Sequence, residues 1–234
     1  MYDELKKLCW AENLKLPGLG LVLYTFGNVS VADRSNGVFA IKPSGVDYDR
    51  MKPEDIVIVS LKTGAVVDGL LRPSSDTNTH FELYRAFPGI GGIVHTHSTY
   101  ATAWAQAARP VPVYGTTHAD HLTEDIPCTD FMEASRIVNN YETETGLQII
   151  EHFRKNRLDP EEIKMVLVAG HGPFTWGKDG AEAVRNAKVL EELCHMAQLT
   201  EAIRPDTPRL CEHLIRKHYL RKHGKDATYG QKSN

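Results

Sequence analysis

The sequence Ile90-Gly-Gly-Ile-Val-His-Thr-His97 carries the most information about the fold. Its apolar run predicts a buried strand that ends in two histidines. Because side chains two positions apart on a strand point to the same face, His95 and His97 can offer their imidazoles to one metal ion. The alternative is a pair of unrelated surface or core histidines, since a single H-x-H pattern also arises by chance.

A second apolar stretch, Val166-Leu-Val-Ala-Gly-His-Gly-Pro173, repeats this design. It predicts a strand followed by His171, and the glycines beside that histidine let the backbone approach a ligand or ion closely. A third imidazole would complete a set that leaves an open coordination position, and the alternative is a turn that happens to contain a histidine. Asp76, just before a predicted helix, is either a fourth ligand or the N-cap of that helix.

The remaining patterns predict helices and strands with at least one clear hairpin, and therefore a mixed sheet covered by helices. The predicted helices are an opening helix that Pro17 and Gly18 end, followed by 77–87, 99–108, 142–155, 180–203 and 208–223. The predicted strands are 37–41, 56–61, 65–67 after a turn at 62–64, 90–97 and 164–169. The composition of 224–234 predicts a disordered polar tail, and a chain of 234 residues suits one domain of the larger α/β kind.

Charge and cysteine usage exclude several classes of protein. A net charge of -3 argues against a general nucleic-acid binder, because there is no excess of cations to displace counterions. The four scattered cysteines form no C-x-x-C pair and indicate free thiols in a cytoplasmic chain. The charged N-terminus lacks the apolar segment of a secretion signal, and no apolar run has membrane-spanning length. Basic residues cluster near the end of the chain: Arg216, Lys217, Arg221, Lys222 and Lys225. This cluster either forms a solvated helix face or contacts an anionic substrate.

Three short segments are suited to an anion, although each is also an ordinary turn. Gly27-Asn28, Ser44-Gly45 and Ser74-Ser75 offer hydroxyl, amide and backbone N–H donors to phosphate oxygens. The last of these precedes a predicted helix, whose N-terminus favours anions. By contrast, the P-loop-like stretch 172–178 is followed by Asp179, so the hydroxyl that binds magnesium in such loops is missing. No G-x-G-x-x-G occurs, so no nicotinamide cofactor is expected.

Seven strings, read together and in order, resemble the 4-epimerase branch of the class II aldolase/adducin family. They are GNVS at 27–30, IKPSGVDY at 41–48, PSSDT at 73–77, GGIVHTHS at 91–98, GTTHAD at 115–120, GHGPF at 170–174 and KHYLRKHG at 217–224. The resemblance runs from the first helix to the last few residues. Asp76 followed by Thr77 is similar to the epimerase branch, whereas the related aldolases carry Glu at the corresponding position. Phe26, where Trp is common, and Gly170, where Ser is common, depart from the pattern.

The resemblance implies a three-layer α/β/α fold with a central mixed, largely antiparallel sheet, and a homotetramer with active sites at subunit interfaces. It implies zinc, or another divalent cation such as manganese or cobalt, on Asp76, His95, His97 and His171. It implies phosphate contacts at Gly27, Asn28, Ser44, Gly45, Ser74 and Ser75. Asp120 and Tyr229 match the two acid/base residues, and Tyr229 would act in a neighbouring subunit's site. Lys42 matches a residue near the enediolate, and His218 matches an accessory position.

The implied reaction is the interconversion of L-ribulose 5-phosphate and D-xylulose 5-phosphate. Position C4 of a ketose is not next to the carbonyl, so its C–H bond is not acidic and simple deprotonation cannot invert it. The remaining route breaks and remakes the C3–C4 bond. Two acid/base groups are needed, because the C4 oxygen points in opposite directions before and after the aldehyde rotates. The alternatives are a class II aldolase that releases its aldehyde, a dehydratase of the same family, and a non-catalytic module like the adducin head.

Overall fold

Alternating side chains along short strands build a sheet whose two faces are both covered. In the strand 38–41, Phe39 and Ile41 belong to one apolar cluster, whereas Val38 and Ala40 belong to a second cluster on the opposite face. Since successive strand residues point to opposite faces, a strand that is apolar at every position requires cover on both sides. The computed structural model describes residues 1–224 and 227, apart from the side chain of Asn139.

In the described part of the chain, seven strands form one sheet in the order β4-β3-β2-β1-β5-β7-β6, and all neighbours are antiparallel. The strands are β1 Asn28–Asp33, β2 Val38–Ile41, β3 Val57–Ser60, β4 Val66–Asp68, β5 Gly92–His95, β6 Met165–Val168 and β7 Gly172–Gly177. A mixed sheet would also contain parallel pairs, but in the described part of the chain the only parallel pairing is an isolated bridge between Cys128 and Leu167. Strand β7 lies between β5 and β6, so it joins the two segments that carry the predicted ligands.

The helices complete the predicted three-layer α/β/α arrangement. They are α1 Asp3–Gly18, α2 Thr77–Ala86, α3 Thr99–Gln106, α4 Thr116–Ala119, α5 Ala134–Asn156, α6 Gly180–Ile203 and α7 Glu212–His223, with a 3-10 turn at Pro53–Asp55. Helix α1 and the first half of α6 share one apolar cluster with the sheet. Helices α2, α3 and α5 share the other cluster, together with the second half of α6.

Most predicted elements are present, with bounds that differ by one or two residues. The largest shift is in α5, which begins at Ala134 rather than at 142. Helix α7 begins at Glu212 rather than at 208, and in the segment before it the Leu210 amide donates to the Val113 carbonyl. Strands β1 and β7 and the short α4 were not predicted. Among the described residues, no helix is both long and apolar enough to cross a membrane, and all four cysteines are free thiols.

Candidate metal centre

Three imidazoles meet at one end of the central strands. His95 ends β5, His97 follows two residues later, and His171 lies in the turn between β6 and β7. The ring centroids are 4.7 to 5.1 Å apart, and the Nε2 atoms of His95 and His97 are 3.1 Å apart. One ring nitrogen from each histidine lies within 4.8 Å of the others, so the three can hold one metal ion.

Sheet pairing explains why residues distant in sequence meet here. His95 pairs with Phe174 on β7, and the β6–β7 hairpin turns between Val168 and Gly172. His171 therefore lies at the same end of the strands as His95. The backbones at Gly172 and Thr96 lie so close together that position 172 requires glycine, because a Cβ there would lie 2.9 Å from the Thr96 carbonyl oxygen.

A hydrogen bond orients the His95 ring, and the pKa values of the other two imidazoles are lowered. His95 Nδ1 lies 2.9 Å from the Pro173 carbonyl oxygen, so this nitrogen is the N–H donor and Nε2 keeps its lone pair toward the other rings. Burial and the neighbouring imidazoles lower the pKa of His97, and they lower the pKa of His171 to about 3. The buried His171 Nδ1 has no hydrogen-bond partner among the described residues. This donor set fits a divalent cation such as zinc.

Asp76 lies in the same cavity but is not part of the group of three. It occupies the N-cap position of α2, yet its side chain makes no capping hydrogen bond. Instead, one carboxylate oxygen accepts from Asn28 Nδ2 at 2.7 Å and from Ser74 Oγ at 3.4 Å. Burial alone would raise the pKa of Asp76, but the nearby imidazoles of His95, His80 and His171 and the Asn28 bond hold it below its usual range. The N-cap interpretation is therefore wrong for this side chain.

The three histidines open into a cavity of about 430 Å³ that also contains the predicted anion segments. Its lining includes Gly27, Asn28, Lys42, Ser44, Gly45, Ser74, Ser75 and Asp76. The amides of Ser44 and Ser74 are already bonded to the carbonyls of Arg72 and Lys42. The amides of Gly27, Gly45 and Ser75 have no protein acceptor among the described residues, so these three, with the serine hydroxyls, are donors available to an anion.

Lys42 brings a buried cation to this cavity. Its side chain is 2% exposed, and Nζ makes only long contacts, at 3.3 and 3.4 Å, to the carbonyls of Thr25 and Pro43. Burial lowers the pKa of Lys42 to about 8, although the charge on Asp47 opposes this shift. No carboxylate of the described chain is within ion-pair distance of Lys42. An anion in the cavity would therefore be its natural partner.

Two cavity residues, Tyr141 and Glu142, were missed by the sequence analysis. They follow a break in α5 at Asn140, where φ is -158° and ψ is 75°. The break turns the helix so that the Tyr141 ring lies 5.7 Å from the His171 ring. The predicted helix start at 142 corresponds to the segment after this break, but the sequence carries no signal that the segment faces the histidines. Thr25, Phe26 and Pro43 also line the cavity and were not assigned to it.

The structure separates Asp120 and His218 from the cavity of their own chain. Neither residue lines it, and they contact each other instead, with His218 Nδ1 3.0 Å from an Asp120 oxygen. Arg221 and Lys222 also bind this carboxylate, at 2.9 and 3.2 Å. Burial would raise the pKa of Asp120, but these three partners lower it to about 2. Part of the basic group near the chain end therefore surrounds Asp120, and Tyr229 lies outside the described residues.

Comparisons with known proteins agree with this fold. An L-fuculose 1-phosphate aldolase superimposes with a TM-score of 0.79 and 25% identity, covering 92% of this chain and 94% of that chain. The fold is also similar to that of an L-fuculose-1-phosphate aldolase from Thermus thermophilus, with a TM-score of 0.65, 24% identity and coverage of 88% and 98%. A sugar-phosphate aldolase from Thermotoga maritima gives a TM-score of 0.67, 18% identity and coverage of 89% and 98%. The family described as Class II Aldolase and Adducin N-terminal domain matches residues 8–198, and the chain therefore belongs to this family.

Proposed function

We propose that this protein is a metal-dependent L-ribulose-5-phosphate 4-epimerase. It would interconvert L-ribulose 5-phosphate and D-xylulose 5-phosphate by breaking and remaking the C3–C4 bond. The observation that carries the proposal is one cavity lined by three imidazoles, a buried lysine and the three segments predicted to bind an anion. Its volume of about 430 Å³ suits a small phosphorylated sugar.

His95, His97 and His171, with Asp76 nearby, would hold the divalent cation that class II aldolases use. When bound, such an ion acts as a Lewis acid that stabilises the negative charge developing on an enediolate. The chain prepares the site in two ways. The Pro173 carbonyl fixes the tautomer of His95, and the Asn28 amide orients the Asp76 carboxylate by donating to it at 2.7 Å.

The anion segments and Lys42 would bind the charged end of the substrate. Gly45 and Ser75 supply backbone amides, Ser44 and Ser74 supply hydroxyl groups, and Lys42 supplies a positive charge. Anchoring the phosphate would keep the aldehyde fragment in place after cleavage. Retention is what an epimerase needs, because the same fragment must rotate and be attacked on its other face.

The acid/base chemistry would need residues from a second copy of the chain. Asp120 would be one acid/base group: it is a carboxylate at neutral pH, although the contacts with Arg221, His218 and Lys222 that lower its pKa to about 2 make it a weak base within its own subunit. Because Asp120 and His218 do not line the cavity of their own chain, we assign them to the cavity of an adjacent subunit in a homotetramer. Tyr229 would be the second acid/base group.

A subunit-mixing experiment tests this assignment. Asp120→Asn and His97→Asn should each be inactive alone, since one lacks the base and the other lacks a metal ligand. If the two residues act in one site across an interface, mixed oligomers should regain about a quarter of wild-type activity with L-ribulose 5-phosphate. No recovery in verified mixed oligomers would contradict the shared site. Epimerase activity absent from the metal-loaded wild-type protein would overturn the proposed function itself.

An aldolase is the second candidate, because the L-fuculose 1-phosphate aldolase shares 25% of its residues with this chain. The chemical difference is the fate of the aldehyde. An epimerase retains glycolaldehyde phosphate, whereas an aldolase releases it. Incubation of L-ribulose 5-phosphate with the enzyme and an aldehyde-trapping reagent distinguishes the two, since trapped aldehyde at the rate of substrate loss indicates an aldolase.

A further inference from the structure

Tyr48 is a buried tyrosine whose hydroxyl supports the wall of the cavity without lining it. The residue is 6% exposed, and its hydroxyl oxygen lies 2.9 Å from the Phe26 carbonyl and 2.8 Å from the Gly27 carbonyl. A phenol has one hydrogen to donate, so the two carbonyls share it. Burial raises the pKa of Tyr48, which keeps the hydroxyl protonated and able to donate.

The segment that Tyr48 holds contacts both Lys42 and Asp76. The Thr25 carbonyl in this segment accepts from Lys42. At the other end of the segment, Asn28 donates to Asp76 at 2.7 Å and to Ser74 at 3.1 Å. A shift of the Phe26-Gly27 backbone would therefore act mainly on the contact with Lys42, because Asn28 is also held by its strand pairing with His95.

The ring of Tyr48 has a separate contact with Lys42. The ammonium nitrogen lies 4.8 Å from the ring centroid, within the range of a cation–π interaction. Since no carboxylate in the described residues is within ion-pair distance of Lys42, the aromatic face adds to the stabilisation that the Thr25 and Pro43 carbonyls give this buried charge. The hydroxyl and the ring thus act on different parts of the same anion site.

We propose that Tyr48 is a positioning residue for anion binding: its hydroxyl fixes the Phe26-Gly27 backbone, and its ring holds the Lys42 ammonium. The expected anion is the phosphate of the substrate, and in that respect the inference rests on the proposed function. The positioning itself can be measured with inorganic phosphate alone, in the absence of any sugar.

Two variants separate the roles of the hydroxyl and the ring. Tyr48→Phe keeps the ring and loses one shared hydrogen bond, so inorganic phosphate should bind about 3–10-fold more weakly by calorimetric titration. KM for the ketose phosphate should rise by a similar factor, while kcat and metal content stay close to wild type. Tyr48→Leu also removes the ring and should lower kcat as well, because Lys42 is no longer held. Tyr114→Phe is the matched control, since it removes a tyrosine hydroxyl that donates to Glu201 outside the cavity.

The outcomes distinguish this inference from the proposed function. If Tyr48→Phe and Tyr114→Phe both bind inorganic phosphate like the wild type, Tyr48 does not position the anion site, whatever the enzyme's activity. The same conclusion holds if the wild type does not bind phosphate. If phosphate binding weakens only in the Tyr48 variants but no ketose phosphate is turned over, the positioning role stands and the epimerase proposal fails. Because Tyr48→Phe leaves the ring in place, it decides the question even if Tyr48→Leu does not fold.

Discussion

Replacing Gly27 with alanine should damage the metal centre, and Gly20→Ala provides a matched control. Both glycines have left-handed backbones, with φ of 79° at Gly27 and 70° at Gly20. A Cβ at Gly20 would have nothing within 4 Å. A Cβ at Gly27 would lie 2.8 Å from Val22 Cγ1 and 3.0 Å from the carbonyl oxygen of His95. The second contact is with the backbone of a ligand residue and cannot be relieved by rotating a side chain.

The difference between the two variants follows from these contacts. Alanine in a left-handed conformation costs about 1–2 kcal/mol, of which about 0.4–1 kcal/mol is offset by the lower entropy of the unfolded chain. Gly20→Ala should therefore lose about 1 kcal/mol. Crowding against β5 adds about 1–3 kcal/mol at Gly27. For a protein of this size the midpoint falls by about 2–4 °C per kcal/mol, so Gly27→Ala should unfold roughly 5–15 °C below the wild type.

Thermal unfolding, metal content and phosphate titration of the two variants test this reasoning. Gly20→Ala should lose only stability. Gly27→Ala should lose stability, bound metal and phosphate affinity together, because the displaced loop carries Asn28 away from Asp76. Wild-type metal content and phosphate affinity in Gly27→Ala would refute the claim that this close approach positions the site.

Three further predictions concern single groups. His97→Asn should lose bound metal and turnover together, as measured by elemental analysis beside an activity assay, and full activity in the metal-free protein would exclude the metal centre. Phosphate affinity should fall as pH rises through about 8, because Lys42, which faces Asp47 and the Tyr48 ring, loses its charge there; an equal affinity on both sides of that pH would remove Lys42 from anion binding. Tyr229→Phe should lower the rate of epimerisation sharply if Tyr229 is the second acid/base group, and unchanged turnover would remove it from the mechanism.

His95 and His97 could be predicted as a pair, because their two-residue spacing identifies two neighbouring imidazoles even when the bounds of the strand are wrong. The predicted strand ran from 90 to 97, whereas β5 ends at His95. His97 lies beyond the ladder, yet its ring still lies beside that of His95, with the two Nε2 atoms 3.1 Å apart. His171 could be predicted for a similar reason, since an apolar run followed by a histidine between glycines places the ring at a strand end.

The two missed strands show where local pattern fails. Strand β7, Gly-Pro-Phe-Thr-Trp-Gly, contains residues that disfavour strands, and its burial comes from pairing with both β5 and β6. Strand β1 carries a buried Asn28 and a buried Ser30 where an apolar residue would be expected. Asn28 Nδ2 donates to Asp76, and Ser30 bonds to His80 and Tyr84, so both side chains find these partners only far along the chain, and Asn28 Oδ1 has no partner among the described residues.

The location of Asp120 could not be predicted either. The sequence GTTHAD at 115–120 suggested that Asp120 is an acid/base residue, but it did not show where Asp120 lies relative to the histidines. The structure pairs it with α7, about a hundred residues further along the chain, through His218, Arg221 and Lys222. Only tertiary structure shows that this group and the histidines do not share a cavity within one subunit.

The insertion of β7 between β5 and β6 has a consequence for synthesis on the ribosome. A nascent chain that has emerged only through β6 carries the His95-His97 pair but cannot complete the sheet, because the strand that bridges β5 and β6 has not yet been made. The third imidazole emerges just before that strand. A metal ion held by the three histidines would therefore be acquired by the late or finished polypeptide, and a truncated product that lacks β7 would have neither the bridging strand nor the His95–Pro173 contact.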